Sequence, residues 1–595
     1  VVDWSWDLLD ASERAVLARL SVFAGGCDLA AAEAVCAEPD AADPDGNGDD
    51  RHGHGTLDVA DVLGSLVDKS LVLAEPDEDE TAPGMRYRML ETIHEYAAER
   101  AAADPAALRA TAHRHAAHYL AFAEQAEPLI RSAVQLPWIR RVETELDNLR
   151  SALDTTLDTA APQAPDAPDA LESARRIALS LGWFWWLRDY RVEGVEWIGR
   201  ILDRTPEDLP EGSPAYWSCM RLRVLHMFLL AESNRGDHFH TPEYRALANR
   251  MREAFRRESP ESTRFPGMLW PALGFLTGQT SDFLSDLDLG VANARRHAGD
   301  WELGVILMLR AHTAIDTTGG LPTVDADLAE LRLIASRVGD RWTRAQVASA
   351  AGELALSRGR FDDARAEYEE CLRLAREVGA HTEAPFAIAR IAEAAYSGGD
   401  LDGAERLLAE AEQEAERQGG AYDVAAFARL LAAMFTLRRG DTVRARAEWQ
   451  GARSAADGIT EPPQFAAGMA TVEAALLAHE QSPEAGLAKA ARGLADAVAA
   501  RCAERFLAAL AETAALLLAD TDRPAESVRV LAAATAWRAG HPRTVPEEAA
   551  LADLPARTRA LLGEAGQAAA EAEGRTLSPA EVAALLAAPT ALSGS

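Results

Sequence analysis

The histidines are the residues best able to do chemistry in this chain, and their closest sets are His52 and His54, His113, His115 and His118, and His238 and His240. A zinc site needs three or four ligands converging in space. On a helix, positions 113 and 118 lie five apart and do not share a face, and His52 and His54 fall in a Gly- and Asp-rich loop. No metal is therefore expected. Catalytic signatures are missing too: there is no GxSxG, no HExxH and no Cys/His pair in a suitable context. Acidic pairs such as Asp362 with Asp363, or Glu369 with Glu370, sit on a charged helical segment and read as a solvated face. With Lys69 and Lys489 the only lysines, neither in a Gly-rich turn, a phosphate loop of the GxxxxGK[ST] type cannot be built. A binding protein is expected, not an enzyme.

A second constellation is aromatic: Trp183, Phe184, Trp185, Trp186, Tyr190 and Trp197. Positions 183, 186, 190 and 197 fall on one helical stripe. Such a stripe reads first as core between stacked helices and second as a ligand or peptide pocket. Trp185 lies off the stripe and is the ring expected to be exposed. Trp185, Trp186, Tyr190 and Trp197 form the candidate partner surface.

These residues need a scaffold, and the sequence supplies one by repetition. Gly299, Gly339, Gly379 and Gly419 recur every 40 residues, each after an Arg/Glu/Ala-rich segment. Glycine just past a helix end supplies a left-handed cap. Ala364, Ala404, Ala445, Ala485 and Ala525 form a second series, spaced 40 or 41 residues apart, each following a turn. Asp362 and Asp402 stand where N-caps belong. Two marks per repeat predict two helices per repeat, an α-solenoid of about 40-residue period related to tetratricopeptide (TPR) arrays. The predicted class is mainly α, with a superhelix over 171–540 and a helical cap over 541–595.

Residues 1–103 differ. Ser12 is expected to cap a helix through Leu20, Asp28 one through Cys36, and Asp58 one ending near Lys69. Leu71–Ala74 and Met85–Met89 read as short strands around an acidic turn, followed by a helix from Glu91. Three helices, a two-stranded wing and a closing helix predict a winged helix domain. Residues 39–55 read as a flexible insertion. Residues 104–170 read as a helical connector ending in a Pro-rich linker over 159–169.

Trp4-Ser-Trp-Asp-Leu-Leu9, Leu20-Ser-Val-Phe-Ala-Gly-Gly26, Leu66-Val-Asp-Lys-Ser-Leu71 and Tyr87-Arg-Met-Leu-Glu-Thr-Ile93 occur in order. Arg114-His-Ala-Ala-His-Tyr119, Glu145-Leu-Asp-Asn-Leu-Arg-Ser-Ala-Leu153, Trp186-Leu-Arg-Asp-Tyr-Arg-Val-Glu-Gly194 and Glu573-Gly-Arg-Thr-Leu-Ser-Pro-Ala-Glu581 follow. The set resembles the winged helix and TPR-like sensor that follow the NB-ARC nucleotide-binding module in STAND-type signalling ATPases. The nearest likeness is to large actinomycete regulators of the SARP and LuxR types. The resemblance implies that ATP or ADP with Mg, and DNA, are bound by domains upstream of Val1, not by this chain. It also implies that Asp68 and Lys69 contact the nucleotide-binding domain, although they could equally form a surface ion pair. The partner on the solenoid would be a protein, a peptide or a small-molecule effector. A free-standing TPR adaptor is the competing reading.

Charge agrees. The chain has a net charge of −34, and residues 1–103 hold 23 Asp and Glu against 7 Arg and Lys. DNA affinity comes mainly from neutralising phosphates with Lys and Arg, so the Asp58–Lys69 segment, with three aspartates and one lysine, is a poor reader of DNA. Five scattered cysteines without a CxxC predict reduced thiols in a cytoplasmic protein. No apolar run is long enough to span a bilayer.

Overall fold

The computed structural model describes residues 2–37, 58–76, 84–161, 166–206, 208–233, 239–279, 282–417, 422–457, 461–538 and 540–587. The expected insertion over 39–55, the helix-end mark Gly419, and His52, His54 and His238 lie outside them. The contacts divide the chain into two compact units, Val1–Leu229 and Leu230–Ser595.

The first unit opens with α1 (Val2–Asp7), α2 (Ala11–Leu20), α3 (Leu29–Cys36) and α4 (Val59–Asp68). Strands β1 (Cys27–Asp28), β2 (Leu73–Pro76) and β3 (Met85–Arg88) form one antiparallel sheet in the order β1-β3-β2. Its register pairs Cys27 with Tyr87 and Leu73 with Arg88. The third strand is an addition to the expected two-stranded wing; two residues are too short to show a period-2 pattern. Asp28 and Asp58 cap α3 and α4 as expected. The cap of α2 is Asp10 rather than Ser12. Its carboxylate accepts from the Glu13 amide while the Glu13 side chain accepts from the Asp10 amide, and this reciprocal box satisfies two orphan donors where serine would serve one.

Helices α5 (Glu91–Ala101), α6 (Pro105–Leu129), α7 (Gln135–Thr144) and α8 (Leu146–Thr159) follow. The expected 159–169 linker is shorter than its prolines suggested, because α9 (Ala167–Leu187) already starts at Ala167, with Pro168 in its first turn, where a missing N–H costs nothing. The unit continues through α10 (Arg191–Asp203) and into α11 (Pro214–Glu232).

The second unit begins with α12 (Pro242–Arg256), α13 (Ala272–Leu276) and α14 (Phe283–His297). Six helical hairpins follow: α15 (Asp300–Ile315) with α16 (Leu321–Val338), α17 (Arg341–Ser357) with α18 (Phe361–Val378), and α19 (Ala384–Ser397) with α20 (Leu401–Arg417). The others are α21 (Tyr422–Arg438) with α22 (Thr442–Ala456), α23 (Pro463–Glu480) with α24 (Pro483–Ala499), and α25 (Glu504–Asp520) with α26 (Pro524–Trp537). Helices α27 (Val545–Leu551), α28 (Leu554–Gly574) and α29 (Pro579–Ala587) close the chain, with α28 packed on α26 and α29 on α24. The fold is mainly α, a stack of TPR-like hairpins.

The repeat marks resolve into a sharper rule. Gly339 and Gly379 are left-handed caps, with φ of 77° and 71°. Gly299 is not: its φ is −76° and it precedes α15 as an N-cap. The small-residue site is the fourth residue of the second helix in the last five hairpins, namely Ala364, Ala404, Ala445, Gly486 and Ser527; in α16 that position is Val324. Ala485 and Ala525 are therefore corrected by one and two positions. A methyl on Gly486 would come within 2.5 Å of the Ala474 carbonyl oxygen, and Ser527 donates to the Ala515 carbonyl at 2.7 Å. Close helix approach fixes the site, so glycine and serine serve as well as alanine. The caps shift as well: Asp400, not Asp402, accepts from the Gly403 amide, and Arg360 precedes α18, leaving Asp362 in its first turn.

Candidate binding surface

The aromatic residues of α9 and α10 form core. Trp185, expected to be exposed, is fully buried, and Trp186 and Trp197 are nearly so. Trp183 and Trp186 stack at 4.8 Å, and Phe184 stacks on Tyr190 at 5.5 Å. The physical reason is Gly194. An added methyl there would lie 2.9 Å from Trp185 Cε3, so the missing side chain is what lets the ring lie against α10. Of the four candidates Tyr190 alone is only partly buried, and the cluster offers little surface to a partner.

Lys69 does not pair with Asp68. Its ammonium meets Glu13 of α2, which also accepts from Ser65 Oγ at 2.6 Å. Glu13 is buried; burial alone would raise its pKa, but Lys69, Ser65 and the Asp10 amide hold it at about 2. Lys69 thus ties α4 to α2. Asp68 is exposed, as is Asp61 on the same helix, so the outer face of α4 is acidic. The three histidines of α6 go to separate places: His113 to Thr159 Oγ1, His115 to Asn148 Oδ1, and His118 to the edge of Tyr119. Among the described residues no group of three or more His, Cys, Asp or Glu is placed to hold a metal ion. All five cysteines are buried and unpaired.

A different cluster lies along the first helices of the hairpins. These helices are buried on most sides, whereas the second helices α18 and α20 bury one stripe. The first helices thus form the inner layer. On it, His312 of α15 shares a hydrogen bond with Glu353 of α17 at 2.8 Å. Glu353 accepts from Arg390 of α19 at 2.8 Å, and Arg390 also donates to Glu393 at 2.9 Å. The Arg390 guanidinium lies 5.1 Å from the Phe386 ring centre and 4.8 Å from Phe427, a cation–π geometry. Arg505 of α25 pairs with Asp316 beside the same network.

The electrostatics follow from crowding plus pairing. Burial would lower the pKa of His312, but Glu353 outweighs it and raises it. Burial would raise that of Glu353, but His312 and Arg390 lower it. Asp316 is raised, by burial above all. The side chains keep between 9% and 25% of their surface open, so they are reachable by a ligand while held in fixed geometry. His312, Glu353 and Arg390 stand 41 and 37 residues apart. Sequence reading missed them; the available signal was a polar residue at the repeat distance inside an otherwise Ala- and Leu-rich helix.

The array also meets itself. The turn between α15 and α16 pairs with the turn between α24 and α25: Ala503 N donates to Asp316 O at 2.8 Å, and Thr318 N donates to Arg501 O at 2.9 Å. Thr318 Oγ1 donates to Cys502 O, and Gly319 N to Glu504 Oε1 at 3.0 Å. Residues 540–551 then cross the hairpin turns. His541 Nδ1 donates to Ser357 O at 3.1 Å, and Val545 packs on Gly399. Arg538 is anchored on both oxygens of buried Glu512 at 2.8 Å.

No family model matches the chain. Over 382 residues it is 29% identical to proteins of Mycobacterium tuberculosis and Mycobacterium bovis provisionally named HTH-type transcriptional regulators, covering 64% of this chain and 34% of theirs. The chain thus spans about a third of the length of those relatives. Among solved structures, a STAND protein with a tetratricopeptide repeat sensor from Pyrococcus horikoshii aligns with 76% of this chain and 63% of its own, at 13% identity and a TM-score of 0.38. A Rap protein in complex with Competence and Sporulation Factor aligns with 61% of this chain and 98% of its own, at 14% identity and a TM-score of 0.44. The chain is a TPR-like helical repeat region related to proteins named as transcriptional regulators.

Proposed function

We propose that this chain is the sensor region of an ATP-dependent transcriptional regulator of the STAND type, binding a protein, peptide or small-molecule effector on its hairpin array. The observation that carries the reading is the 382-residue kinship to HTH-type regulators about three times longer than the matched stretch. The repeat architecture supports it, since stacked hairpins present extended surfaces that hold partners. ATP with Mg and the DNA contacts then belong to other domains of the parent protein, and this chain acts by binding without catalysing a reaction. An effector that favours one arrangement of the array shifts the parent's equilibrium by its differential affinity, and no further. The inner-layer cluster of His312, Glu353 and Arg390 is the recognition site under this reading.

The test is a reporter assay in the parent protein with Glu353→Gln and Arg390→Gln. The expected result is loss of effector-dependent transcription with DNA binding retained. Unchanged induction in both variants would remove the cluster from the reading. A reading frame with neither a phosphate loop nor a DNA-binding domain upstream would favour the free-standing adaptor instead.

A further inference from the structure

In the second unit a cavity of about 290 Å³ lies between α26 and α28. A cavity of roughly 150 Å³ with apolar walls already holds benzene, so this one has room for a fused pair of rings. Helix α28 is not one straight rod. Gly563, with φ of 68° and ψ of 171°, breaks it into two arms, in a backbone conformation open essentially to glycine alone. Thr558 stands on the first arm and Gln567 on the second, and both line the cavity. The second arm is pressed against α26 at Gly574, where a methyl would come within 2.2 Å of the Arg529 carbonyl oxygen. Buried Val528 and Leu554 and half-buried Leu531 supply apolar wall, and Ala536 stands exposed at the mouth.

The hydrogen bonds of the lining decide what fits. Gln567 Nε2 donates to Glu571 Oε1 at 3.0 Å. This fixes the amide, because the reverse orientation would set two acceptors face to face. Gln567 Oε1 therefore faces Thr558, whose hydroxyl lies 3.0 Å from it and 3.0 Å from the Leu554 carbonyl oxygen. One hydroxyl proton cannot serve both acceptors, and no other side-chain donor among the described residues reaches Gln567 Oε1. Buried Gln567 thus keeps an unused lone pair, and an acceptor short of donors in a dry site costs free energy until one arrives. The charges of the lining cancel, since Glu571 pairs with Arg575 at 3.5 Å. An ion entering the cavity would shed water and meet no unpaired counter-charge.

We propose that this cavity binds a small neutral molecule with an apolar body and one N–H or O–H donor, the body against Val528, Leu531 and Leu554 and the donor on Gln567 Oε1. The site shares no residue with the His312, Glu353 and Arg390 cluster and stands or falls independently of it.

The experiment is isothermal titration of the full chain with indole. Two comparison probes are used: 1-methylindole, which keeps the rings without the donor, and indole-3-carboxylate, which adds a charge. The expected result is saturable binding of indole, with 1-methylindole severalfold weaker and the carboxylate at least tenfold weaker. Gln567→Met keeps the length of the side chain and removes the acceptor, so the preference for indole over 1-methylindole disappears. Ala536→Trp, which fills the mouth from an exposed position and leaves the packed side of α26 untouched, abolishes binding. Circular dichroism confirms that each variant is folded, and Ala536→Trp decides the matter alone should Gln567→Met fail to fold. Absence of saturable binding, equal affinity for 1-methylindole or for the carboxylate, an unchanged preference in folded Gln567→Met, or full affinity in Ala536→Trp overturns the proposal.

Discussion

The hairpin of α9 and α10 and the hairpins from α23 to α26 bury their helices by opposite means. In the first, a few large rings fill the space: Trp183, Phe184, Trp185, Trp186 and Trp197 are all buried. In the second, helices approach until small residues touch, and Ala474, Ala490, Ala508, Ala511, Ala514 and Ala515 are all fully buried. Gly493 sits where a methyl would come within 2.8 Å of Ala470 Cβ. Rings concentrate packing energy in few residues, whereas small residues spread it over many contacts that each gain only about 0.1–0.2 kcal/mol per atom pair. The two regions should therefore fail differently, the first on truncation and the second on enlargement.

The largest effect is expected at Trp185. Replacing it with alanine leaves a ring-sized hole and costs about 3–5 kcal/mol in urea unfolding. Its indole N–H has no hydrogen-bond partner among the described residues, so Trp185→Phe should cost far less; equal losses would break the comparison. Next comes His115, set among Phe23 and Tyr119 at 5.2 and 4.7 Å. Burial lowers its pKa from 6.5 to about 4, against the hydrogen bond to Asn148. The unfolded chain binds the proton first, so stability present above pH 6.5 is lost as pH falls towards 4. The loss is about 3 kcal/mol at one pKa unit per 1.36 kcal/mol. Chemical denaturation across that range should show a shallower slope in His115→Gln. In the small-residue region, Gly486→Ala gains helix propensity yet forces a methyl against the Ala474 carbonyl. A net loss of about 1–3 kcal/mol is expected, read from the urea midpoint, where a gain would show that the hairpin has room. The smallest effect is Thr318→Val, which removes the hydroxyl's bond to the Cys502 carbonyl and should cost about 1 kcal/mol. Hydrogen exchange should show the change at the Ala503 and Gly319 amides.

The repeat was legible in the sequence because backbone chemistry marks it. Glycine at a left-handed cap, as at Gly339 and Gly379, leaves a local trace that needs no knowledge of the partner helix. Individual elements of the mixed N-terminal region were legible for the same reason, through the caps Asp28 and Asp58 and the two longer strands. The binding surface was not. Whether Trp185 faces water depends on Gly194, nine residues away on another helix, and no helical stripe encodes that. The His312, Glu353 and Arg390 network was hidden because its members lie on three different helices. Gly299 was misread because glycine serves both as a left-handed cap and, as here, as an ordinary N-cap; composition alone does not separate the two.

The pairing of the α15–α16 turn with the α24–α25 turn joins residues 183 to 189 positions apart. In an ordinary stack each hairpin leans only on its neighbours, and damage stays local. Here the earliest hairpins complete their hydrogen bonding only after nearly two hundred further residues have left the ribosome. Such distant closures slow folding and make the array more nearly all-or-none. A cut anywhere between 320 and 500 should therefore loosen both ends together, and a molecule prising that junction apart would be felt across the array's full width.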